Sequence, residues 1–276
     1  MSTLTIETAL EQYSSAICAY PVAADSSAGQ DFASRLRSKR NLKKVESAIG
    51  EAVAWEYLKH RVDTIEAVEP VQGARTPDFR CTSSGSPFFV EVQVITTETV
   101  TKWTGLDAHP TGPRPFGPVG TWARKFQGKL SRKTTQGVDT PIPRLVFFLT
   151  LHAEATLSRC TKHDVEEVMH SSSFIASPFN PSTGEGGAAF HAVDFHHSAF
   201  TNRSLSPMRE PISGFLVGGF GYFPNHTRVF GGINPDASHP FDPSWLPSVP
   251  LASFAAWPLP ESGEVHFHWS RADDGD

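Results

Sequence analysis

Three side chains between residues 76 and 95 are of types that could do chemistry together. Asp78 follows Pro77 in TPDFRCT, and Glu91 and Gln93 alternate with apolar residues in FFVEVQVIT. The SSGSP between them reads as a turn, so two short strands should fold back on each other. Two carboxylates and an amide on neighbouring strands make a cradle for a hard divalent cation. Mg²⁺ takes one or two protein carboxylates and completes its octahedron with water and phosphate oxygens. Asp78 and Glu91, with the carbonyl of Val92, would supply that partial shell. Phe88, Val90, Val92 and Val94 share one strand face, wholly apolar and therefore core. Phe89, Glu91, Gln93 and Ile95 share the other, where a charge and an amide among apolar neighbours need a reason. Taken singly, Asp78 is a strand entry after proline and Glu91 a partner for Arg80 across the hairpin.

The elements that must position these residues follow from periodicity. Residues 3–20 have a mildly helical pattern that stops at Pro21. The run RLRSKRNLKK places Arg35, Arg37, Lys39, Arg40, Lys43 and Lys44 within ten residues. It reads as a solvated helix face or as an edge that contacts phosphate. Residues 41–60 form a helix with a wide apolar arc (Leu42, Val45, Ile49, Ala52, Val53, Trp55, Leu58). Its glutamates, Glu46, Glu51 and Glu56, are five residues apart, so each step turns the side chain by about 140° and the three point different ways. Glu46 falls on the more polar flank, and the pattern alone does not choose between Glu51 and Glu56. A strand is expected in RVDTIEAVEPV, and the Pro/Gly-rich stretch 97–120 is expected to be a long functional or mobile loop. Residues 121–134 read as a helix with Trp122, Phe126 and Leu130 on one stripe. Lys125, Lys129 and Lys133 lie beside that stripe, and Arg124 and Arg132 add to a second basic cluster. PRLVFFLTL is the continuous apolar run of a strand buried on both faces. A short helix capped by Thr161 follows.

This order, helix, three strands, helix, strand, resembles the PD-(D/E)xK, restriction-endonuclease-like superfamily across about 110 residues, Asn41 to Leu151. The matching positions are Pro77-Asp78 for the motif aspartate and Glu91-Val92-Gln93 for the second acid and the site usually held by lysine. Gln93 departs from that lysine, a variant that some restriction enzymes of this fold also carry. The family often has a glutamate in its opening helix, and Gly50-Glu51 followed by Tyr57-Leu58 resembles that pattern, which favours Glu51. The resemblance implies an α/β (α+β) fold with an αβββαβ core and a mixed central sheet. It implies a phosphodiesterase that cleaves DNA with Mg²⁺, Mn²⁺ being able to substitute, in a prokaryotic restriction or other defence setting. Asp78, Glu91, Glu51 and the Val92 carbonyl would hold the metal. Gln93 can orient a water but carries no charge, so Lys125 or Lys129 is expected to take the cationic role. Arg35, Arg37, Lys39, Arg40, Lys43, Lys44, Arg124 and Lys133 would hold phosphates. DNA is expected ahead of RNA as partner, with a homodimer if recognition is palindromic. The alternative is a catalytically inactive protein of this fold that binds nucleic acid or another protein.

Composition sets the outer bounds. A net charge of −5 does not by itself suggest a nucleic-acid binder, though an average hides local patches. Cys18, Cys81 and Cys160 are odd in number and lack CxxC spacing, which argues against a disulfide framework or a cysteine-built zinc site. Neither a secretory leader nor a membrane-spanning run is evident, so a cytoplasmic protein is expected. Residues 1–40 are expected to form a helical, basic segment, 41–170 the nuclease-like core, and 171–276 a β-rich extension packed on it. In that extension AFHAVDFH, ISGFLVGGF, RVFGGI and EVHFHWS look like strands. GFLVGGFGYF reads as a tightly packed or bulged strand rather than a phosphate loop. His266 and His268 share a strand face, near His191, His196, His197, His226 and His239 in sequence. No third ligand at a recognisable spacing joins them, so a polar surface is expected there more than a metal site.

Overall fold

The computed structural model describes residues 5–21, 26–38, 40–69, 76–106, 126, 129–130, 141–170, 172–177, 181–187, 190–194, 198–201, 209–258 and 265–271. Its centre is an eight-stranded mixed sheet. The strands are β1 (Thr64–Ala67), β2 (Phe79–Ser83), β3 (Ser86–Val94), β4 (Arg144–Thr150), β7 (Gly214–Tyr222), β8 (His226–Ile233), β9 (Leu251–Phe254) and β10 (Phe267–Trp269), in that spatial order. A separate antiparallel pair is formed by β5 (Ser172–Ala176) and β6 (Phe190–Asp194). The first three strands form an antiparallel meander, and β4 then runs parallel to β3, and β7 parallel to β4. The last third of the chain therefore extends the same sheet through β7 to β10.

Two helical layers cover the sheet. On one face lie α1 (Ile6–Gln12), α2 (Ser14–Ala19), α3 (Ser27–Leu36) and α4 (Leu42–Lys59). The expected N-terminal helix is interrupted at Tyr13, whose buried hydroxyl donates to the carbonyl of Phe220 at 3.0 Å. The arc of α4 (Val45, Ile49, Ala52, Val53) packs in one core with Phe88, Val90 and Val94 of β3 and Leu145, Phe147 and Leu149 of β4. Gly50 lets the helix sit close: a Cβ there would lie 2.4 Å from Val94 Cγ2. The opposite face carries a second core of Ile95, Val146, Phe148, Phe215 and Val217. It is covered by α5 (Thr97–Thr104), the helical positions Phe126 and Leu130, α6 (Ala153–Ser158) and α7 (Lys162–His170). All seven residues of β4 are buried, as a strand between two layers requires.

Several expectations need correction or sharpening. The first part of the 97–120 stretch is α5, which ends at Gly105 in a left-handed conformation (φ 73°); residues 107–120 lie outside the described residues. The hairpin turn holds Ser84 and Gly85 at φ 51° and 77°, the positive values that a tight two-residue turn requires. Thr161 and Asp164 form a reciprocal capping box at the start of α7, each side chain accepting from the other's backbone N–H at 3.2 Å. The glycines of β7 serve close packing: a Cβ on Gly219 or Gly221 would meet the backbone of Thr156 or Ala153 in α6. The strand is also irregular between Gly219 and Tyr222. Cys18, Cys81 and Cys160 are free thiols, and burial pushes the Cys81 thiol up to about 12. Among the described residues no helix is long and apolar enough to cross a membrane.

Candidate functional site

Asp78 sits where β3 runs on past the start of β2. Its backbone N–H donates to the carbonyl of Val90 at 3.1 Å, and its carbonyl accepts from Val68 at 3.0 Å. The N–H of Val92 donates to the Asp78 carboxylate at 2.6 Å. A carboxylate thus takes the place that a backbone carbonyl would hold in a longer β2, a charge-assisted bond that fixes the side chain at the fork between the strands.

Asp78 shares a cleft of about 330 Å³ with Tyr20, Asp31, Phe32, Arg35, Glu51, Ala67 and Val68. The cleft lies on the α4 face of the sheet, between α3, α4 and the β1–β2 edge. Glu51 accepts both Arg35 guanidinium nitrogens, at 2.6 and 2.7 Å, and Arg35 Nε reaches Asp31 at 2.8 Å. Burial acts to weaken the Arg35 charge, but the hydrogen bonds and charges of Glu51 and Asp31 outweigh it and hold the guanidinium protonated. Tyr20 packs on Phe32, Trp55 and Phe79. Burial first, and then the charges of Glu51 and Asp78, push its phenol well above the ordinary value. The cleft is therefore lined by three carboxylates, one cation and a neutral phenol.

Glu91 lies elsewhere. By strand alternation it projects away from Val90 and Val92, onto the face opposite α4. It is buried there in an ion pair with Arg144, the first residue of β4. Strand register explains the meeting: Phe89 pairs with Arg144, so the Arg144 side chain stands on the Glu91 face two residues back along β3. Gln93 is half-buried on that face, and its amide donates to the Val94 carbonyl at 3.3 Å. The β2–β3 register, continued one step from Phe79↔Val90, sets Asp78 opposite Glu91; Asp78 also lines the cleft with Glu51, whereas Glu91 and Gln93 stand on the face of β3 opposite α4. The cause is the apolar face of β3, which α4 claims for its own apolar arc. Among the described residues no group of three or more His, Cys, Asp or Glu side chains could hold a metal ion.

The helix glutamates do point three ways. Glu56 meets the His60 ring at 3.2 Å and Glu51 meets Arg35. Glu46, expected on the polar flank, is instead only 1% exposed. It accepts the N–H of Thr97 at 3.1–3.2 Å and the Thr97 hydroxyl, so it caps the start of α5. Burial raises its pKa despite those bonds. Of the basic residues, Arg35 is committed to Glu51 and Asp31, and Lys43 pairs with Glu98 at 2.9 Å. Arg37, Arg40 and Lys44 are exposed. The Lys129 ammonium stands 5.7 Å over the Trp103 ring. The helical turn carrying it packs through Phe126 and Leu130 on the Glu91 face. Lys39, Arg124, Lys125 and Lys133 lie outside the described residues.

Sequence reasoning missed Arg144, Asp31 and Tyr20. Arg144 had a signal, a charge opening a strand destined for burial on both faces, which must find a partner. Asp31 and Tyr20 had none, because only packing of α2 and α3 on α4 brings them to the cleft. His268 on β10 and His266 just before it are exposed.

Fold and site together define a mixed α/β protein built on an eight-stranded mixed sheet, with a charged cleft at the fork of β2 and β3. Neither a protein-family model, nor a curated protein, nor a solved structure matches the chain.

Proposed function

We propose that residues 41–151 form a restriction-endonuclease-like core and that the protein hydrolyses phosphodiester bonds of DNA with a divalent cation, Mg²⁺ or Mn²⁺. The observation that carries this reading is one arrangement. In an αβββαβ order with β4 parallel to β3, the aspartate of the Pro-Asp pair stands at the strand fork. There it lines one cleft with a glutamate of the opening helix. Two carboxylates, Asp78 and Glu51, suit Mg²⁺, which takes most of its remaining shell from water and phosphate. When bound, such a cation polarises the phosphate and lowers the pKa of a water. Arg35 lines the same cleft and supplies the positive charge that Gln93 lacks, in place of Lys125 or Lys129. Asp31 and Glu51 engage all three of its nitrogens and hold it protonated, so it acts there as a fixed positive charge.

The test is cleavage of plasmid and single-stranded substrates with Mg²⁺, Mn²⁺ or EDTA, beside Asp78→Ala and Glu51→Gln. Metal-dependent cleavage lost in Asp78→Ala is the expected result. Cleavage that survives Asp78→Ala would sink the assignment.

A second reading has its own observation. Glu91 is tied to Arg144 and Glu51 to Arg35, so two of the three expected metal ligands are already paired with cations. On that reading the chain binds nucleic acid without cutting it. Wild-type protein that shows salt-sensitive DNA binding and no cleavage with either metal would establish it.

A further inference from the structure

A second cleft, of about 340 Å³, has the opposite character. Arg61, Lys162, Arg228 and His226 line it. These three permanent cations and an imidazole converge with four hydroxyl-bearing side chains, Tyr57, Thr161, Thr227 and Ser248, and among the described residues that line the cleft there is no carboxylate. It shares no residue with the Asp78 cleft. In a chain of net charge −5 such a concentration of positive charge in a concave site is not an accident of composition.

Arg61 is held in place by groups that leave its charge available. Arg61 Nη1 donates to the Tyr57 carbonyl at 2.7 Å, and its guanidinium lies 3.7 Å from the Tyr57 ring centroid. Neither contact neutralises it, and its buried Nε has no hydrogen-bond partner. The buried Nε2 of His226 likewise has none. A polar atom left so is costly unless a ligand or water completes it. The Arg228 Nη1 donates to the Leu157 carbonyl at 3.2 Å, and the Lys162 ammonium stands 5.1 Å over the Trp269 ring. Thr161 and Lys162 also open α7, so the positive end of a nine-residue helix adds to the field. Asp164 is turned back onto Thr161 in the capping box, and Glu166, one turn beyond Lys162, accepts from Trp269 Nε1 at 3.0 Å.

We infer that this cleft binds a phosphate-class oxyanion. Several cationic and hydroxyl donors set around one cavity suit a compact anion with many acceptor oxygens. Two sources share that chemistry, a free phosphate ligand and the backbone of a nucleic acid. The inference does not rest on the nuclease assignment, because Asp78 takes no part in it.

The test is calorimetric titration of the full chain with inorganic phosphate, and fluorescence anisotropy with a labelled DNA duplex. Both are run on wild type, Arg61→Gln and Lys162→Gln. Saturable phosphate binding, weakened about tenfold or more by Lys162→Gln and Arg61→Gln, is the expected result. Because Arg61 also braces the end of α4, thermal melts accompany it, and Lys162→Gln carries the result if Arg61→Gln unfolds. Duplex affinity that falls in the same variants assigns the oxyanion to nucleic acid, and duplex affinity that is unmoved assigns it to a free phosphate ligand. Wild-type protein that binds neither probe, or Lys162→Gln that binds phosphate as wild type does, overturns the inference.

Discussion

Replacing Arg144 by methionine tests the partition of the acids between the two sheet faces. The Arg144 and Glu91 side chains are 10% and 7% exposed, so the pair is almost wholly withdrawn from water. Removing the guanidinium breaks a buried ion pair from one side, a change that costs about 3–5 kcal/mol. At about 2–4 °C per kcal/mol for a chain of this size, Tm should fall by roughly 6–20 °C. Replacing both partners, Arg144→Met with Glu91→Leu, removes the stranded charge and should return stability to within about 1–2 kcal/mol of wild type or above it. Urea denaturation followed by circular dichroism, with the two singles and the double in one buffer, completes the cycle. A double variant as unstable as Arg144→Met, or an Arg144→Met loss below about 1 kcal/mol, would refute the claim that the pair is a buried structural unit. The same samples address the metal. If Mg²⁺ restores the Tm of Arg144→Met but not of the double variant, Glu91 is a metal ligand after all. No restoration is expected with the cation held by Asp78 and Glu51.

Other outcomes follow from single contacts. Asp78→Asn keeps an oxygen to accept the Val92 N–H, so stability should change by about 1 kcal/mol or less while metal-dependent cleavage is lost; a plasmid assay beside a denaturation curve reads both. Gly50→Ala gains about 1 kcal/mol of helix propensity but drives a methyl to 2.4 Å from Val94 and 2.9 Å from Leu149. Overpacking of about 1–3 kcal/mol should win, and an unchanged or raised denaturation midpoint would show that α4 is free to shift. Burial, opposed by its bonds to Thr161 and by Arg159 and His163, raises the Asp164 carboxyl to about 6. The folded state then holds a proton that the unfolded state has released, so stability should fall as pH rises from about 4 to about 6, by roughly 3 kcal/mol. Asp164→Asn should flatten that slope in urea titrations at several pH values, and a slope unchanged in the variant would place the proton elsewhere.

Much of the architecture was legible because its causes are local. Alternation in β3 separated an apolar face from one bearing Glu91 and Gln93, and the unbroken run in β4 announced burial on both sides. The arc of α4, the SSGSP turn and the Thr161 cap are likewise short-range patterns that the backbone cannot express in many ways. The α5 helix was not legible, because its sequence, TETVTKWT, is rich in β-branched residues and runs into a Pro/Gly-rich stretch, and its capping acid, Glu46, lies 51 residues away.

By itself, then, the chain determined which residues alternate, which faces are apolar, and that charges on half-buried strands must be satisfied. Tertiary structure alone decided by whom. Glu91 is satisfied by Arg144 because a parallel crossover sets β4 beside β3 at one register, 53 residues distant. Glu51 meets Arg35, in the cleft that Asp78 also lines, because α3 packs on α4. Hydrophobic pattern specifies a face, but a charge finds its partner across whatever element that face happens to be packed against. That choice is made by long-range packing, which no short stretch of sequence encodes.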